Sequence, residues 1–279
     1  AGDAPFFLQC SFPDPHHPFT PPGRYWDMYK PGDVDLPQSF DAELTDAPPP
    51  VRWLHAQRAD RPDHFKPGHG TFAVTHQEAR EALALNYGNI ACIDDAIGRV
   101  MAELQRLGLA DNTVVMFTSD HGDLLGDRGL MFKGGLHYGG LTRVPFIWSD
   151  PATSGSSASH VPRETPALAQ TMDIAATVLA RAGLEPAHGM QGQSLLPLVS
   201  GQADALRSSV LIEEEGQRLD FGLGQRIRMR TLRTCDHRLT IYDGQPWGEL
   251  CDLRSDPLEL RNLWNDPASQ ALRAQLMAE

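Results

Sequence analysis

Cysteine is scarce in this sequence, and its spacing excludes several classes of protein. The four cysteines are Cys10, Cys92, Cys235 and Cys251, and none of them forms a C-x-x-C pair. Their spacing excludes zinc ribbons and thioredoxin-like redox motifs. Cys10 and Cys92 lie in apolar segments, which predicts that both are buried. Cys235 and Cys251 could pair in an oxidising compartment, but free thiols are favoured.

Basic residues are also few. The chain has 24 Lys and Arg side chains against 36 Asp and Glu side chains, which gives a formal net charge of −12. Such a chain has no electrostatic footprint for nucleic acid. A small anionic substrate would need a metal ion and a few cations to reverse the local field. The sequence also lacks an apolar run of the roughly 20 residues that a membrane-spanning helix needs, so no membrane partner is expected. The compartment is not predicted, and both cytoplasm and periplasm stay open.

The first third of the chain combines an apolar run, a long irregular stretch and a helix. The apolar run 5–12 predicts a buried strand. Residues 13–72, rich in Pro, Asp, His and Gly, predict a functional or covering loop. Thr75 and Glu78 have the spacing of a capping box, and apolar residues then keep helical spacing up to Gly108. A helix is therefore predicted between Thr75 and Gly108.

The remaining sequence predicts an α/β arrangement followed by a small subdomain. Strands are predicted over 113–119 and 143–149, and the helix that leads into the first of them predicts parallel pairing. A further helix is predicted over 170–182. The last part of the chain, 206–279, is predicted to be an α+β subdomain with strands at 208–214, 227–234, 238–243 and 248–253 and a helix from about Pro267.

Polar side chains that could carry chemistry follow the strand 113–119. Asp120 and His121 come directly after it, at the strand end where open α/β sheets bind ligands. A carboxylate and an imidazole can share one divalent ion, but their spacing alone also fits an Asp-His turn with capping hydrogen bonds. Lys133 follows in a glycine-rich loop, where it could stabilise an oxyanion or simply be solvated. The acidic run 213–215 is interpreted as a solvated run at the end of a strand.

Four ordered segments resemble one family. "ADNTVVMFTSDHGDLLGDRGLMFKGG" with "TRVPFIW", "SFPDPHHPFTPPGRYWDMY", "GMQGQSLLPLVSG" and "ELCDLRSDPLELRNLW" are similar to segments of the sulfatases of the alkaline phosphatase superfamily. The resemblance covers essentially the whole chain. It implies an α/β fold with a mixed sheet flanked by helices, in which 1–205 would be part of the sulfatase domain and 206–279 the smaller C-terminal subdomain.

The resemblance also implies roles for individual residues. Asp120 and His121 resemble metal ligands, for one divalent ion that would be Ca²⁺, with Mn²⁺, Mg²⁺ or Zn²⁺ as alternatives. Lys133 resembles the lysine that holds the sulfate group, and His16 occupies the Pro-His-x-Pro-Phe position of a catalytic histidine. Two further histidines are candidates for substrate binding, His17 and His137. The implied activity is hydrolysis of a small anionic sulfate ester.

One part of the family pattern is missing. The family's nucleophile, a formylglycine made from Cys-x-Pro-Ser-Arg or Ser-x-Pro-x-Arg, has no counterpart among these 279 residues. We therefore expect that an N-terminal portion of the same protein supplies it, and that this chain alone is inactive. Two alternatives stay open. One is a phosphonate monoester or phosphodiester hydrolase of the same superfamily, and the other is a non-catalytic domain that has lost the nucleophile.

Overall fold

A computed structural model describes residues 4–59, 61, 70–154, 164–216 and 220–279. The strands of these residues are β1 (Phe72–Ala73), β2 (Val115–Thr118), β3 (Leu130–Met131), β4 (Phe146–Ser149), β5 (Ser209–Glu215), β6 (Arg228–Thr234), β7 (His237–Tyr242) and β8 (Gly248–Asp252). Their α-helices are α1 (Pro49–Ala59), α2 (His76–Arg106), α3 (Gly139–Thr142), α4 (Pro151–Ser154), α5 (Asp173–Arg181), α6 (Leu196–Val199) and α7 (Gln270–Ala278). The predicted α/β class is confirmed. None of the described helices combines the length and hydropathy that crossing a bilayer requires.

The chain divides into two compact units. The first comprises Ala1–Leu36 with Thr75–Asp111, and the second comprises Pro37–Val74 with Asn112–Glu279. The predicted division at residue 205 is a different one, and it stays a prediction.

Helix α2 dominates the first unit and begins where the capping box predicts. The Thr75 side chain accepts a hydrogen bond from the Glu78 N–H, and the Glu78 carboxylate accepts one from the Thr75 N–H at 2.8 Å. These bonds satisfy two of the amide groups that a helix start leaves without partners. Near the middle of the helix, a Cβ on Gly88 would lie 2.4 Å from the Tyr25 carbonyl oxygen, so glycine lets that backbone approach. The predicted helix is confirmed.

Two expectations for the first unit are wrong. The apolar run 5–12 forms no strand in its described part, and the exposed fraction of Phe7 is 77%. Cys10 is exposed as well. An apolar run becomes a strand only when a neighbouring strand accepts its hydrogen bonds, and none of the described strands pairs with this segment. Part of the apolar face of α2 is exposed too, since Ile90 is 47% and Val100 43% exposed.

Strand β2 and its partner β4 position the candidate site in the second unit. They pair antiparallel, with Val115 opposite Ser149. The predicted parallel pairing is therefore wrong. A helix followed by a strand forms a βαβ unit only when an earlier strand of the same sheet precedes the helix, and the described part of this two-stranded sheet has none.

A four-stranded antiparallel sheet follows, in the order β5-β6-β7-β8. All four strands lie where the sequence predicts them, and α7 confirms the predicted terminal helix. Helix α1 was not predicted. It begins at Pro49 and buries Val51 and Leu54, so it lies within the stretch interpreted as a loop. Proline is tolerated in the first turn of a helix, and this spacing of three residues is a helical signal.

The core of the second unit connects three parts of the chain. Its buried side chains come from α1, from the glycine-rich segment, and from the four-stranded sheet with the loop that joins β5 to β6; they include Val51, Leu54, Leu124, Leu130, Leu136, Tyr138, Phe221, Ile227, Met229 and Tyr242. The glycine-rich segment is thus packed against the C-terminal sheet.

Candidate active site

Asp120 and His121 lie just beyond the end of β2, where the chain leaves the sheet. The Asp120 Oδ1 accepts a hydrogen bond from the His121 N–H at 2.9 Å. The next residue turns the chain, and a Cβ on Gly122 would lie 1.8 Å from the Gly140 carbonyl oxygen. Only glycine permits this approach. Both candidate ligands are open to solvent, with 83% of the Asp120 side chain and 45% of the His121 side chain exposed.

The hydrogen bonds of His121 define its tautomer. Its Nδ1 lies 2.8 Å from the Gly122 carbonyl oxygen, which can only accept, so Nδ1 carries the proton. In the neutral imidazole the lone pair is then on Nε2, which lies 3.6 Å from Asp120 Oδ2. Two electron-pair donors therefore stand side by side. A histidine that donates its other ring N–H to a backbone carbonyl is typical of metal ligation.

Neighbouring groups also lower the pKa of the Asp120 carboxyl. Partial burial raises the pKa of the Asp120 carboxyl, but the His121 N–H and the His121 ring outweigh this and lower it. Among the described residues, no group of three or more His, Cys, Asp or Glu side chains is placed to hold a metal ion. The site consists of two donors.

Lys133 belongs to the same region. Burial lowers the pKa of the Lys133 ammonium group, and the negative charges of Asp123 and Asp120 oppose this change. Burial raises the pKa of Asp123, whose Oδ1 accepts hydrogen bonds from the Leu125 and Phe132 N–H groups at 3.1 and 3.0 Å. Asp123 therefore holds the backbone next to Lys133.

His137 is buried, with 5% of its surface exposed. Its Nδ1 lies 2.8 Å from Thr231 Oγ1, and its Nε2 lies 3.3 Å from a carboxylate oxygen of Glu214. Burial raises the pKa of Glu214, but hydrogen bonds from His137 and from the Gly135 N–H lower it overall. Both ring nitrogens of His137 are thus engaged by the C-terminal sheet, and its predicted contact with substrate stays a prediction.

The interpretation of 213–215 as a solvated run is wrong for its middle residue. Glu213 and Glu215 are exposed, whereas 26% of the Glu214 side chain is exposed. All three belong to β5, and side chains alternate between the two faces of a strand. This period of two was the sequence signal for an inward-facing Glu214.

His16 and His17 belong to the first unit, and Asp120, His121 and Lys133 belong to the second. The two histidine rings stack with their centroids 4.1 Å apart. The His16 ring is exposed, and its Nδ1 lies 2.5 Å from the His17 carbonyl oxygen. Their predicted catalytic and substrate-binding roles stay predictions.

Comparison with known proteins identifies the family of the chain. The profile of the sulfatase family matches residues 1–184, and that of the C-terminal part of N-sulphoglucosamine sulphohydrolase matches residues 127–279. The chain belongs to the sulfatase family. It is 31% identical over 264 residues to an arylsulfatase of Clostridium perfringens, covering 94% of this chain and 50% of that protein.

Two further known proteins, with different names, are similar to this chain. A choline-sulfatase of Rhizobium meliloti is 28% identical over 277 residues, which cover 98% of this chain and 49% of that protein. The crystal structure of a phosphonate monoester hydrolase of Agrobacterium radiobacter superposes with a TM-score of 0.77 at 28% identity, covering 99% of this chain and 56% of that one. The chain therefore spans about half the length of the curated relatives it matches.

Proposed function

We propose that the protein to which this chain belongs is a metal-dependent sulfuric ester hydrolase, a sulfatase. Membership of the sulfatase family supports the reaction class. The observation that carries the proposal is the pair of facing donors, His121 Nε2 and Asp120 Oδ2, at the end of β2. The negative charges of Asp123 and Asp120 oppose the decrease that burial causes in the pKa of Lys133, which supports a role for this cation beside the donor pair.

Asp120 and His121 would hold one divalent ion between them. The resemblance implied Ca²⁺, but an imidazole nitrogen beside a carboxylate oxygen favours Mn²⁺ or Zn²⁺, since Ca²⁺ prefers oxygen ligands alone. When bound, the ion would stabilise negative charge on the sulfuryl oxygens. Two donors are too few for a complete coordination sphere, so we propose that the remaining ligands come from outside the described residues.

The chain's own residues would act on the sulfate group. Lys133 would hold the sulfate and offset charge that develops on the leaving oxygen. His16 would protonate the departing alcohol, a role that suits an imidazole near neutral pH. His17 is the proposed substrate-binding residue, whereas both ring nitrogens of His137 are engaged within the protein and its predicted contact with substrate stays a prediction. The nucleophile would come from the expected N-terminal portion, because the 279 residues contain neither of the family's two nucleophile motifs.

Metal binding can be tested on this chain directly. Titration calorimetry with Mn²⁺, Zn²⁺ and Ca²⁺ should show weak binding that His121→Ala reduces by at least about tenfold. His188→Ala, at an exposed histidine of the same unit, should leave the affinity unchanged. Equal affinities for the wild type and the His121→Ala variant would remove the proposed metal site.

The reaction can be tested on the full-length protein. Hydrolysis of 4-nitrophenyl sulfate should fall about 10²- to 10³-fold in kcat in Lys133→Ala, the loss typical of removing one preorganised transition-state donor. Lys30→Ala, at an exposed lysine of the other unit, serves as the control. This chain alone should give no turnover. Any metal-dependent rate from it would contradict the expectation that it is inactive.

A second candidate is a phosphonate monoester hydrolase. The structural match to the Agrobacterium radiobacter enzyme of that name favours it, since the identity of 28% extends over nearly the whole chain. The ratio of kcat/KM for an aryl sulfate to that for a phenylphosphonate monoester separates the two reactions. A ratio above one supports the sulfatase, and a ratio below one supports the phosphonate hydrolase. No turnover of either ester would favour a non-catalytic domain.

A further inference from the structure

The backbone on both sides of Lys133 is fixed by hydrogen bonds. We call residues 132–139 the lysine loop. Before the lysine, the Phe132 N–H donates to Asp123 Oδ1 at 3.0 Å. After it, the Gly134 carbonyl accepts from Thr71 Oγ1 at 3.0 Å, and the Gly135 N–H donates to Glu214 Oε1 at 2.8 Å. The last of these bonds reaches the loop from β5 of the C-terminal sheet.

Glu214 begins a path of hydrogen bonds through the sheet. Its second oxygen lies 3.3 Å from His137 Nε2, so one carboxylate contacts the lysine loop at two places. On its other side, the His137 ring contacts the Thr231 hydroxyl of β6, which lies 2.7 Å from the hydroxyl of Thr240 on β7. Both threonines are fully buried.

Arg238 determines which group donates and which accepts in each hydrogen bond of this path. Its guanidinium can only donate, and it donates to Thr240 Oγ1 at 2.8 Å. The Thr240 hydroxyl then donates to Thr231, which donates to His137 Nδ1. The remaining proton of the neutral imidazole is on Nε2, where it donates to Glu214. In this direction every buried donor of the path has an acceptor, whereas the reverse direction points the Thr240 hydroxyl proton at the guanidinium.

The path returns to the lysine loop. Arg238 Nε donates to Glu259 Oε1 at 2.7 Å, and Glu259 Oε2 accepts from the Gly139 N–H at 2.7 Å. These contacts therefore form a closed circuit that leaves the lysine loop at Gly135, passes back through His137 and the sheet, and returns to the loop at Gly139. Buried and fully satisfied networks of this kind rigidify the segments that they join.

We propose that Glu214 and His137 are positioning residues for Lys133, through which the C-terminal sheet holds the lysine loop in place. The positioning is a property of this chain. Its catalytic consequence rests on the proposed function, because only there does Lys133 act on substrate. The positioning of Lys133 and its catalytic consequence can therefore be refuted by separate experiments.

Glu214→Gln is the informative substitution. Gln keeps the size of Glu but replaces one acceptor with an NH₂ group. Whichever way the amide is turned, an N–H then faces either the Gly135 N–H or the His137 Nε2–H. Glu213→Gln is the matched control, because Glu213 lies next to it on β5 and pairs with Arg230 at an exposed position.

Two NMR measurements on this chain test the positioning. In the wild type, ¹⁵N-labelled His137 should show the Nε2–H tautomer, and Glu214→Gln should change it. The chain contains three lysines, Lys30, Lys66 and Lys133, so ¹³C-methylated lysine spectra resolve the Lys133 side chain. Its signal should shift or broaden in Glu214→Gln and stay unchanged in Glu213→Gln. An Nδ1–H tautomer in the wild type, or an unchanged Lys133 signal in Glu214→Gln, would overturn the proposal.

A second variant covers the case in which Glu214→Gln does not fold. Thr231→Val removes the hydroxyl that donates to His137 at nearly constant volume, and it should change the tautomer and the Lys133 signal. Thr231→Ser restores the hydroxyl and should restore both. Failure of Thr231→Ser to restore them would contradict the circuit.

Kinetics of the full-length protein test the catalytic consequence. Glu214→Gln should lower kcat/KM for an aryl sulfate about 10- to 100-fold, the loss expected from misplacing a catalytic group by about 1 Å. Glu213→Gln should change it less than about twofold. A wild-type protein without activity refutes the proposed function and leaves the NMR result to decide the positioning. Full activity in Glu214→Gln, with a shifted Lys133 signal, would refute the catalytic consequence alone.

Discussion

Gly135 provides a quantitative test of how tightly the lysine loop is packed. Its φ angle is +71°, in the left-handed region, and a Cβ on it would lie 2.3 Å from Cε2 of Phe221. Phe221 is 5% exposed and belongs to the main core of the unit, and its ring lies 6.2 Å from that of Trp53. The ring therefore cannot withdraw without disturbing its neighbours. Gly135→Ala should be destabilising for two separate reasons.

The two contributions can be separated with a second glycine. An alanine in the left-handed region costs about 1–2 kcal/mol, and overpacking a filled core costs about 1–3 kcal/mol more. Gly183 has the same φ of +71° but nothing within 4 Å of its would-be Cβ. Gly183→Ala should thus cost the backbone contribution alone. The two variants should differ by about 1–3 kcal/mol in the free energy of unfolding.

Urea denaturation followed by circular dichroism measures this difference, provided that the slopes of the transitions agree. Combining Gly135→Ala with Phe221→Leu makes room for the methyl group, so the double variant should lose less than the sum of the two single losses. Equal destabilisation by Gly135→Ala and Gly183→Ala would refute the packing argument.

Other predictions concern the buried ion pair of α5 and the start of α2. Asp173→Ala should cost about 3–5 kcal/mol in the free energy of unfolding, because it leaves Arg207 without the buried carboxylate that it contacts. Burial raises the pKa of Asp173, but hydrogen bonds from Arg207 and from the backbone lower it overall. The stabilisation should therefore be complete above the ordinary Asp pKa of about 4 and be lost as the pH falls through the lower folded value, so acid unfolding should shift in the variant. Thr75→Ala should cost about 1 kcal/mol by removing the cap of α2, whereas the exposed Gln77→Ala should change the unfolding midpoint little.

Local signals made much of the fold predictable. Thr75 and Glu78 determine the start of α2 through contacts three residues apart, and the four strands of the C-terminal sheet show their pattern within single segments. The position of Asp120 and His121 directly after a strand could also be predicted, because a polar pair that follows an apolar strand needs no distant information, whereas their role as metal ligands stays a prediction. Lys133 was noticeable as a single lysine in a glycine-rich segment.

The features of the fold and site that the sequence did not predict depend on contacts between residues far apart in the chain. The antiparallel pairing of β2 with β4 depends on which strands share a sheet, which no single segment records. The partnership of His137 with Glu214 joins residues 77 positions apart, so it could not be read from spacing. Thr231, Thr240 and Arg238 look like ordinary strand residues until the strands pair.

The solvent-facing apolar side chains between the middle of α2 and its C-cap have a practical consequence. Ile90, Val100 and Leu107, at 47%, 43% and 53% exposure, give fluorescent hydrophobic dyes a surface to bind and give neighbouring molecules a surface to adhere to. Samples of the chain should scatter light increasingly as they are concentrated. Replacing the three residues by glutamate or lysine is the simplest route to preparations that remain dispersed at NMR concentrations.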